Sequence, residues 1–479
     1  MKRFFVFLLL GAGPLAASLG AESLSLGQYM DEVRMRNPDL RGGQAEDAAL
    51  ALSAKQPLTA FSPQMDGQVQ EQNNQTYPVG STEISPSDTE TLSWDTNLNE
   101  LLSTGTQLGL DYSGDHTKFF YPSAFAQFAS NPLYAGFLPD LDTYGQQVSL
   151  NISQPLWRNF MASEVNASLA KAAADADAGR AANRYQAQAL LYQARQAYVE
   201  LATVRQVTAI LNESLKRNQK ILDWTKHKYA DNLADKADVL EGEASLRQVA
   251  LNLAENRDDE ARAVIVFNSL RGMTPTAKVG GLEALEAPER LPQPSGTRPD
   301  LEAAEAALRA SDAQVASVTQ SFTPDISVFA TLGGAERDPE ATGTMEQFQP
   351  NTLVGVKFTA NLDYALYRQV LSGARQAEGY GQAQVEGKKL EVARDWAQLK
   401  ASFAGVKERL ALARELETIQ KEKADREKER YEDGRTTEFQ VLRFADDYNL
   451  SRVQTLQLTA QAEELEAQAR YYNGEDQPW

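Results

Sequence analysis

About seventy consecutive residues without a proline, from about Trp157 to Tyr229, constrain this chain more than any other feature. The run follows Gln154-Pro155-Leu156-Trp157 and is filled with Ala, Gln, Glu, Arg, Lys and Leu, which all favour helix. At the helical rise, an unbroken rod of this length measures roughly 110 Å. No compact domain of ordinary size needs such a helix. A second run of the same kind extends from about Tyr364 to Tyr431.

The apolar residues show how these rods are buried. Ala194, Ala197, Leu201 and Val204 step by 3, 4 and 3, and so do Trp396, Leu399, Phe403 and Val406. Each residue of the second set lies 202 positions after its counterpart. A spacing near 3.5 gives a narrow seam along which one helix meets a neighbour. The remaining surface is polar, so the rods are expected to pack side by side with water on one or both faces.

Composition narrows the functional classes. The formal net charge of −19 argues against nucleic acid as a partner. There is no cysteine, which excludes disulfides, thiolate metal ligation and a lipidated N-terminal cysteine. His116 and His227 are the only histidines and lie far apart in the sequence, so no histidine metal site is expected. No nucleophile–base constellation or Gly-rich phosphate loop is present, and neither an enzyme nor a cofactor is expected. Lys2 and Arg3, the apolar run Phe4 to Leu10, and small residues through Ala21 read as a signal peptide. The apolar run is too short to span a bilayer as a helix. If the exported chain enters a membrane, it must do so by strands.

Two stretches share one plan. Asn37-Pro38-Asp39-Leu40 opens a helical segment that ends at Ser62-Pro63, and Arg298-Pro299-Asp300-Leu301 opens another that ends at Thr323-Pro324. Both pairs of prolines are 25 residues apart, which together with the 202-residue offset indicates an internal duplication. After Pro324 the period changes to two: Ile326, Val328, Ala330 and Leu332 alternate with Asp325, Ser327, Phe329 and Thr331. After a polar loop from Gly333 to Pro350, Val354, Val356, Phe358 and Ala360 alternate in turn. Strands of about nine residues have the length of tilted strands crossing an outer membrane.

The first copy carries an insertion of about 59 residues, because the offset is 261 at the proline motifs and 202 in the rods. Within it, Leu92, Trp94, Thr96 and Leu98 precede a turn at Ser103-Thr104-Gly105, and Leu108, Leu110 and Tyr112 follow it. This inner pair is either an outward hairpin or two more barrel strands, and the preferred reading is the hairpin. Phe119 to Tyr144, rich in aromatics and proline, is expected to be an exposed loop.

The expected organisation is a signal segment at 1–21, a first repeat at 22–272, a linker at 273–297 and a second repeat at 298–479. The first repeat has strands at about 63–73 and 146–155, an inserted loop or hairpin at 74–145, and helices at 157–230 and 236–272. The second has strands at about 325–333 and 352–361 and helices at 364–431 and 437–472. The fold class is mainly α with a β-barrel part.

Each rod ends in a turn, Lys228-Tyr229-Ala230-Asp231-Asn232-Leu233 in the first copy and Arg430-Tyr431-Glu432-Asp433-Gly434-Arg435 in the second. The offset pairs Tyr229 with Tyr431 and Asn232 with Gly434. Asn and Gly are the residues that most readily adopt the left-handed conformation closing a helix.

With its duplicated Pro-Asp-Leu openings, the Gln154-Pro155-Leu156 junction and the Tyr-x-x-Gly-x-x-x-x-x-Val-Leu turn of Tyr431 to Leu442, the chain resembles the outer-membrane efflux protein family, the TolC-like channels. The resemblance implies a homotrimer in which each protomer gives four strands to a 12-stranded outer-membrane barrel continued by a periplasmic α-helical barrel. It implies as partners outer-membrane lipid, a periplasmic adaptor (membrane fusion) protein and an inner-membrane pump of the RND or ABC type, with export of a drug, metal ion or polypeptide. Carried over by position, adaptor docking falls on Asn232, Leu233, Gly434 and Arg435, and a periplasmic gate on Asp238 and Tyr431. The family's pore acids would fall at Gln440 and Arg443, which are not acidic, whereas the first copy offers Asp238 and Glu241. Tyr229, the counterpart of Tyr431, completes the candidate gate, and both tyrosines could equally be packing residues. The competing reading is a periplasmic coiled-coil scaffold or adaptor, which explains the rods and the signal but not the alternating strands.

Overall fold

The computed structural model describes residues 23–75, 86–121, 142–338 and 348–474. The expected signal segment and the C-terminal Trp479 lie outside them, as do the middles of the expected loops Phe119 to Tyr144 and Gly333 to Pro350, whose ends are strand rather than loop because the ladders continue through them. The chain divides into two compact units. One comprises residues 47–181 and 303–387, the other residues 1–46, 182–302 and 388–479.

The first unit holds a six-stranded antiparallel sheet, β1 (Gln64–Gln75), β2 (Asp88–Leu101), β3 (Gln107–Phe120), β4 (Asp142–Pro155), β5 (Asp325–Asp338) and β6 (Gln349–Thr359), in that spatial order. This corrects the expectation of four strands from this chain with an outward hairpin. β2 and β3 lie in the sheet between β1 and β4.

The reason lies in the rows across the sheet. Met65, Leu98, Leu110, Leu150 and Leu332 align on one face, and Asp66, Asn97, Asp111, Ser149 and Gly333 on the other. An inner pair folded away from the sheet would lose both matches. On the polar face Thr331 donates to Asn151 at 2.6 Å, Asn151 donates to Asp111, and Ser149 reaches Asp111 at 3.3 Å. The apolar face is left open, with Val69 74% and Val356 70% exposed. The tight turn between β2 and β3 is pinned to the segment that begins the first rod, where the Met161 amide donates to the Thr104 carbonyl at 3.1 Å.

The described residues also hold seven α-helices: α1 (Leu26–Arg36), α2 (Pro38–Ser53), α3 (Ser163–Ala230), α4 (Lys236–Leu270), α5 (Pro299–Ser321), α6 (Tyr364–Glu432) and α7 (Glu438–Asn473). α3 and α6 are the rods, with 68 and 69 residues. In the second unit, Ala194 and Leu201 of the α3 seam are fully buried and pack with Tyr29, Met30 and Val33 of α1 and Phe267 of α4. Tyr29 stacks on Phe267 at 4.0 Å between ring centres and donates to its carbonyl at 3.2 Å. The α6 seam meets α7 through Phe403 and Val406 against Ala462. The stretch between α4 and α5 lies against this core, with Leu282 bridging to Leu24.

The Arg298-Pro299-Asp300 motif is structural. The Arg298 guanidinium, 5% exposed, bonds Asp300 at 2.6 Å and Asp395 at 2.7 Å, and lies 5.1 Å from the Tyr472 ring. Lys388 closes the network on Asp300 at 3.2 Å and Glu391 at 2.8 Å. Burial alone would lower the Arg298 pKa, but the bonds to Asp300 and Asp395 outweigh it and hold the guanidinium charged. Removing one partner of a buried network strands the others in low dielectric. Arg298→Ala is therefore expected to destabilise the helical unit by about 3 kcal/mol, read as a lowered urea midpoint of the purified protein.

Candidate functional site

The two rods end in turns built the same way. In the first, the Leu233 amide donates to the Lys228 carbonyl at 2.8 Å and Asn232 to Tyr229 at 3.1 Å. In the second, Arg435 donates to Arg430 at 2.8 Å and Gly434 to Tyr431 at 3.0 Å. Both are six-to-one and five-to-two pairs that satisfy the last carbonyls of a helix, with Asn232 (φ 57°) and Gly434 (φ 71°) in the left-handed region. The Asp235 amide then donates to the Asp238 carboxylate at 3.0 Å, closing a capping box that starts α4.

Tyr431 sits at the centre of the packed turn. It is 4% exposed, and its ring meets Trp224 edge-on at 4.4 Å. The Lys228 ammonium lies 4.2 Å from the Trp224 ring and 4.4 Å from that of Tyr431. The Tyr431 and Thr225 hydroxyls are 3.3 Å apart, and Thr225 also bonds the carboxylate of Glu438, the first residue of α7.

Glu438 is 5% exposed, and its second oxygen has no hydrogen-bond partner. A methyl added at Gly242 of α4 would come within 2.6 Å of that oxygen, so the helices meet as closely as glycine allows. Burial pushes the Glu438 carboxyl up to about 7; the Thr225 hydroxyl opposes this, Asp238 reinforces it, Lys228 opposes it and Glu241 adds to it. Burial likewise raises Tyr431. A carboxyl that titrates near neutrality therefore joins the ends of α3, α4, α6 and α7.

The candidate gate residues divide on this map. Tyr431 is inside the cluster, and Asp238 is half-buried beside it, acting electrostatically on Glu438. Glu241 is exposed and acts on Glu438 from α4. Tyr229 is outside the cluster, 45% exposed, with the Lys236 ammonium 6.0 Å from its ring. Asn232, Leu233, Gly434 and Arg435 are all exposed at the turns, Leu233 at 75%, and Arg435 lies 3.8 Å from Asp433. Glu438, Thr225, Trp224 and Lys228 escaped sequence reasoning. A glutamate in a first helical turn normally serves the helix dipole in water, and nothing local marks Glu438 as buried.

No group of His, Cys, Asp or Glu among the described residues is placed to hold a metal ion. Among the described residues, too, no helix is long and apolar enough to cross a membrane.

Residues 293–474 match the family described as outer membrane efflux protein. No curated protein sequence gives a significant match. Among solved structures, the outer-membrane channel OprN superposes with a TM-score of 0.68 at 16% identity, covering 95% of this chain and 91% of that one. The outer membrane protein VceC of Vibrio cholerae gives 0.68 at 16% identity over 94% of this chain and 96% of that one. The open state of the MtrE outer membrane channel of Neisseria gonorrhoeae gives 0.64 at 14% identity over 93% and 88%. Residues 293–474 are thus similar to the outer membrane efflux proteins, and nearly all of the chain has the fold of outer-membrane channels.

Proposed function

We propose that the protein is the outer-membrane exit duct of a tripartite efflux or type I secretion system, acting as a homotrimer and performing no chemistry of its own. The observation that carries this reading is the sheet, apolar and open on one face and hydrogen-bonded and polar on the other, in a chain that also carries two helices of nearly seventy residues. Strands with a lipid face and a wet face form a channel when their edges are closed. Exposed Trp157, Phe160 and Tyr364, near the ends of β4 and β6, suit the boundary between lipid and water. The helices and their turns then stand in the periplasm. The 202-residue offset between the rods supports two copies of one ancestral unit.

In this reading the packed turns are the closed entrance, with Tyr431, Asp238 and Glu438 holding the helix ends together. Exposed Asn232, Leu233, Gly434 and Arg435 receive the periplasmic adaptor, which couples the duct to an inner-membrane pump of the RND or ABC type. Planar-bilayer conductance of the purified protein tests the channel. Small discrete openings are expected, and Tyr431→Ala should enlarge them several-fold by removing the ring against Trp224. A protein found in the soluble periplasm that never conducts would refute the channel. For docking, Leu233→Asp should abolish co-purification of the adaptor and leave conductance unchanged, since this side chain packs on nothing that closes the turn. Undiminished co-purification would move the docking surface elsewhere.

A further inference from the structure

We propose that three copies of this chain close an eighteen-stranded barrel, each joined to the next by β6 of one copy pairing with β1 of its neighbour, with Gln64 opposite Thr359. The proposal rests on the trimeric channel reading and deepens it by assigning the strand count and the intermolecular register.

The argument begins at the sheet edges. Among the described residues β1 pairs only with β2, and β6 only with β5. Their side chains on the apolar face include Met65, Val69, Val354, Val356 and Phe358, all strongly exposed. An edge strand among lipid tails leaves its outer amides and carbonyls without partners, which hydrocarbon does not tolerate. Six strands are fewer than the eight of the smallest membrane barrels. The edges are therefore covered by further chain. Successive strands alternate in direction, so β6 of one copy meets β1 of the next antiparallel, and the same junction repeats around a closed ring.

The register follows from the ladder. Straight across the sheet, Gln64 leads through Asn99, Gly109, Asn151 and Thr331 to Leu353. The sheet's helix-side end on β6 is Thr359, six residues beyond Leu353. Bringing Gln64 of the next copy level with Thr359 staggers the barrel by six residues for every six strands. One residue of stagger per strand, at a rise of about 3.3 Å and a spacing of about 4.8 Å, tilts the strands by roughly 35°, within the range of closed barrels.

The chemistry of the junction agrees with this register. Met65 then faces Phe358 and Val69 faces Val354 on the lipid side, while Asp66 faces Lys357 on the polar side. A slip of one residue would set polar against apolar at every step. Within its own chain neither Asp66 nor Lys357 has an ion-pair partner among the described residues. Three copies of a six-stranded sheet give eighteen strands, a barrel about one and a half times as wide as a twelve-stranded one, since diameter grows with strand number. Its lumen is lined by Asp66, Asp95, Asp111 and Asp115 from each copy, which suits a broad, polar passage.

The chain has no cysteine, so an introduced pair reports without background. In membranes, Asp66→Cys combined with Lys357→Cys is expected to form an intermolecular disulfide on mild oxidation and to give covalent dimers and trimers on a denaturing gel. Gln70→Cys with Lys357→Cys, four residues out of register, should not cross-link, because a disulfide needs α-carbons within about 7 Å. The charge swap Asp66→Lys with Lys357→Asp, which places no thiol at the junction, should retain a heat-resistant trimer, whereas Asp66→Lys alone weakens it. A conducting trimer in which the Asp66–Lys357 pair stays uncross-linked would overturn the eighteen-stranded barrel and leave the channel reading intact. A ladder that stops at the covalent dimer would replace it with a two-copy ring. A soluble, non-conducting monomer would remove both readings together.

Discussion

Gly105→Val is expected to abolish the assembled channel. Gly105 lies in the turn between β2 and β3 with φ of +82°, a conformation that costs a β-branched residue roughly 1–3 kcal/mol. An added Cβ would also overlap the Asn159 carbonyl oxygen and come within 3.0 Å of the Ala162 amide. Neither neighbour is the end of a flexible side chain, so the clash adds about 1–3 kcal/mol more. The sum is a large fraction of the roughly 5–15 kcal/mol that holds a typical domain folded. The expected readout is loss of the heat-resistant oligomer from outer-membrane fractions. Gly280→Val is the control, because a Cβ there meets nothing within 4 Å. Normal oligomer from Gly105→Val would mean that the turn is not packed on the start of the rod as the structure has it.

Glu438→Gln is expected to remove a pH dependence from the helical turns. The folded-state pKa of Glu438 is raised from 4.5 to about 7, so between these values the packed turn binds a proton that the separated one releases. Its contribution to closure is fully present below about pH 4.5 and is lost as pH rises through 7. A shift of this size corresponds to at most about 3 kcal/mol, and water reaching the turn reduces it to about 1–2 kcal/mol. With these turns as the proposed entrance, single-channel recordings should show openings about tenfold more frequent at pH 8 than at pH 5. The charges facing Glu438 set the sign: Asp238 and Glu241 of α4 repel the carboxylate, and Lys228 of α3 only partly offsets them. Glutamine keeps the shape and carries no charge, so the variant should remain closed across the range. A variant that opens with pH as the wild type does would assign the titration to another group.

Much of the architecture was legible in one dimension because its interactions are local and periodic. A seam of Ala194, Ala197 and Leu201 at helical spacing has only one way to be buried, and α3 buries it. Alternation in Ile326 to Leu332 likewise sets which side of a strand meets which medium, because successive side chains point to opposite faces. Asn232 and Gly434 announced the turns, since few other residues adopt the left-handed conformation found there.

Neighbours were not legible. The alternation in Leu92–Leu98 and Leu108–Tyr112 is equally compatible with a separate hairpin and with two strands inside the sheet. Only the cross-strand rows and the contact of Thr104 with Met161 decide for the sheet. Asp238 read as a gate acid, yet its carboxylate first closes a capping box, a bond that depends on the backbone of Asp235. Glu438 read as nothing, because its burial is created by Thr225 and Tyr431, of which Thr225 lies 213 residues away. Sequence by itself determined the two rods, the alternation of polar and apolar faces along the strands and the closing of the turns, all of which depend on residues a few positions apart. Tertiary structure alone decided the order of the strands and the environment of the buried carboxyl, because pairing and desolvation are properties of what packs alongside.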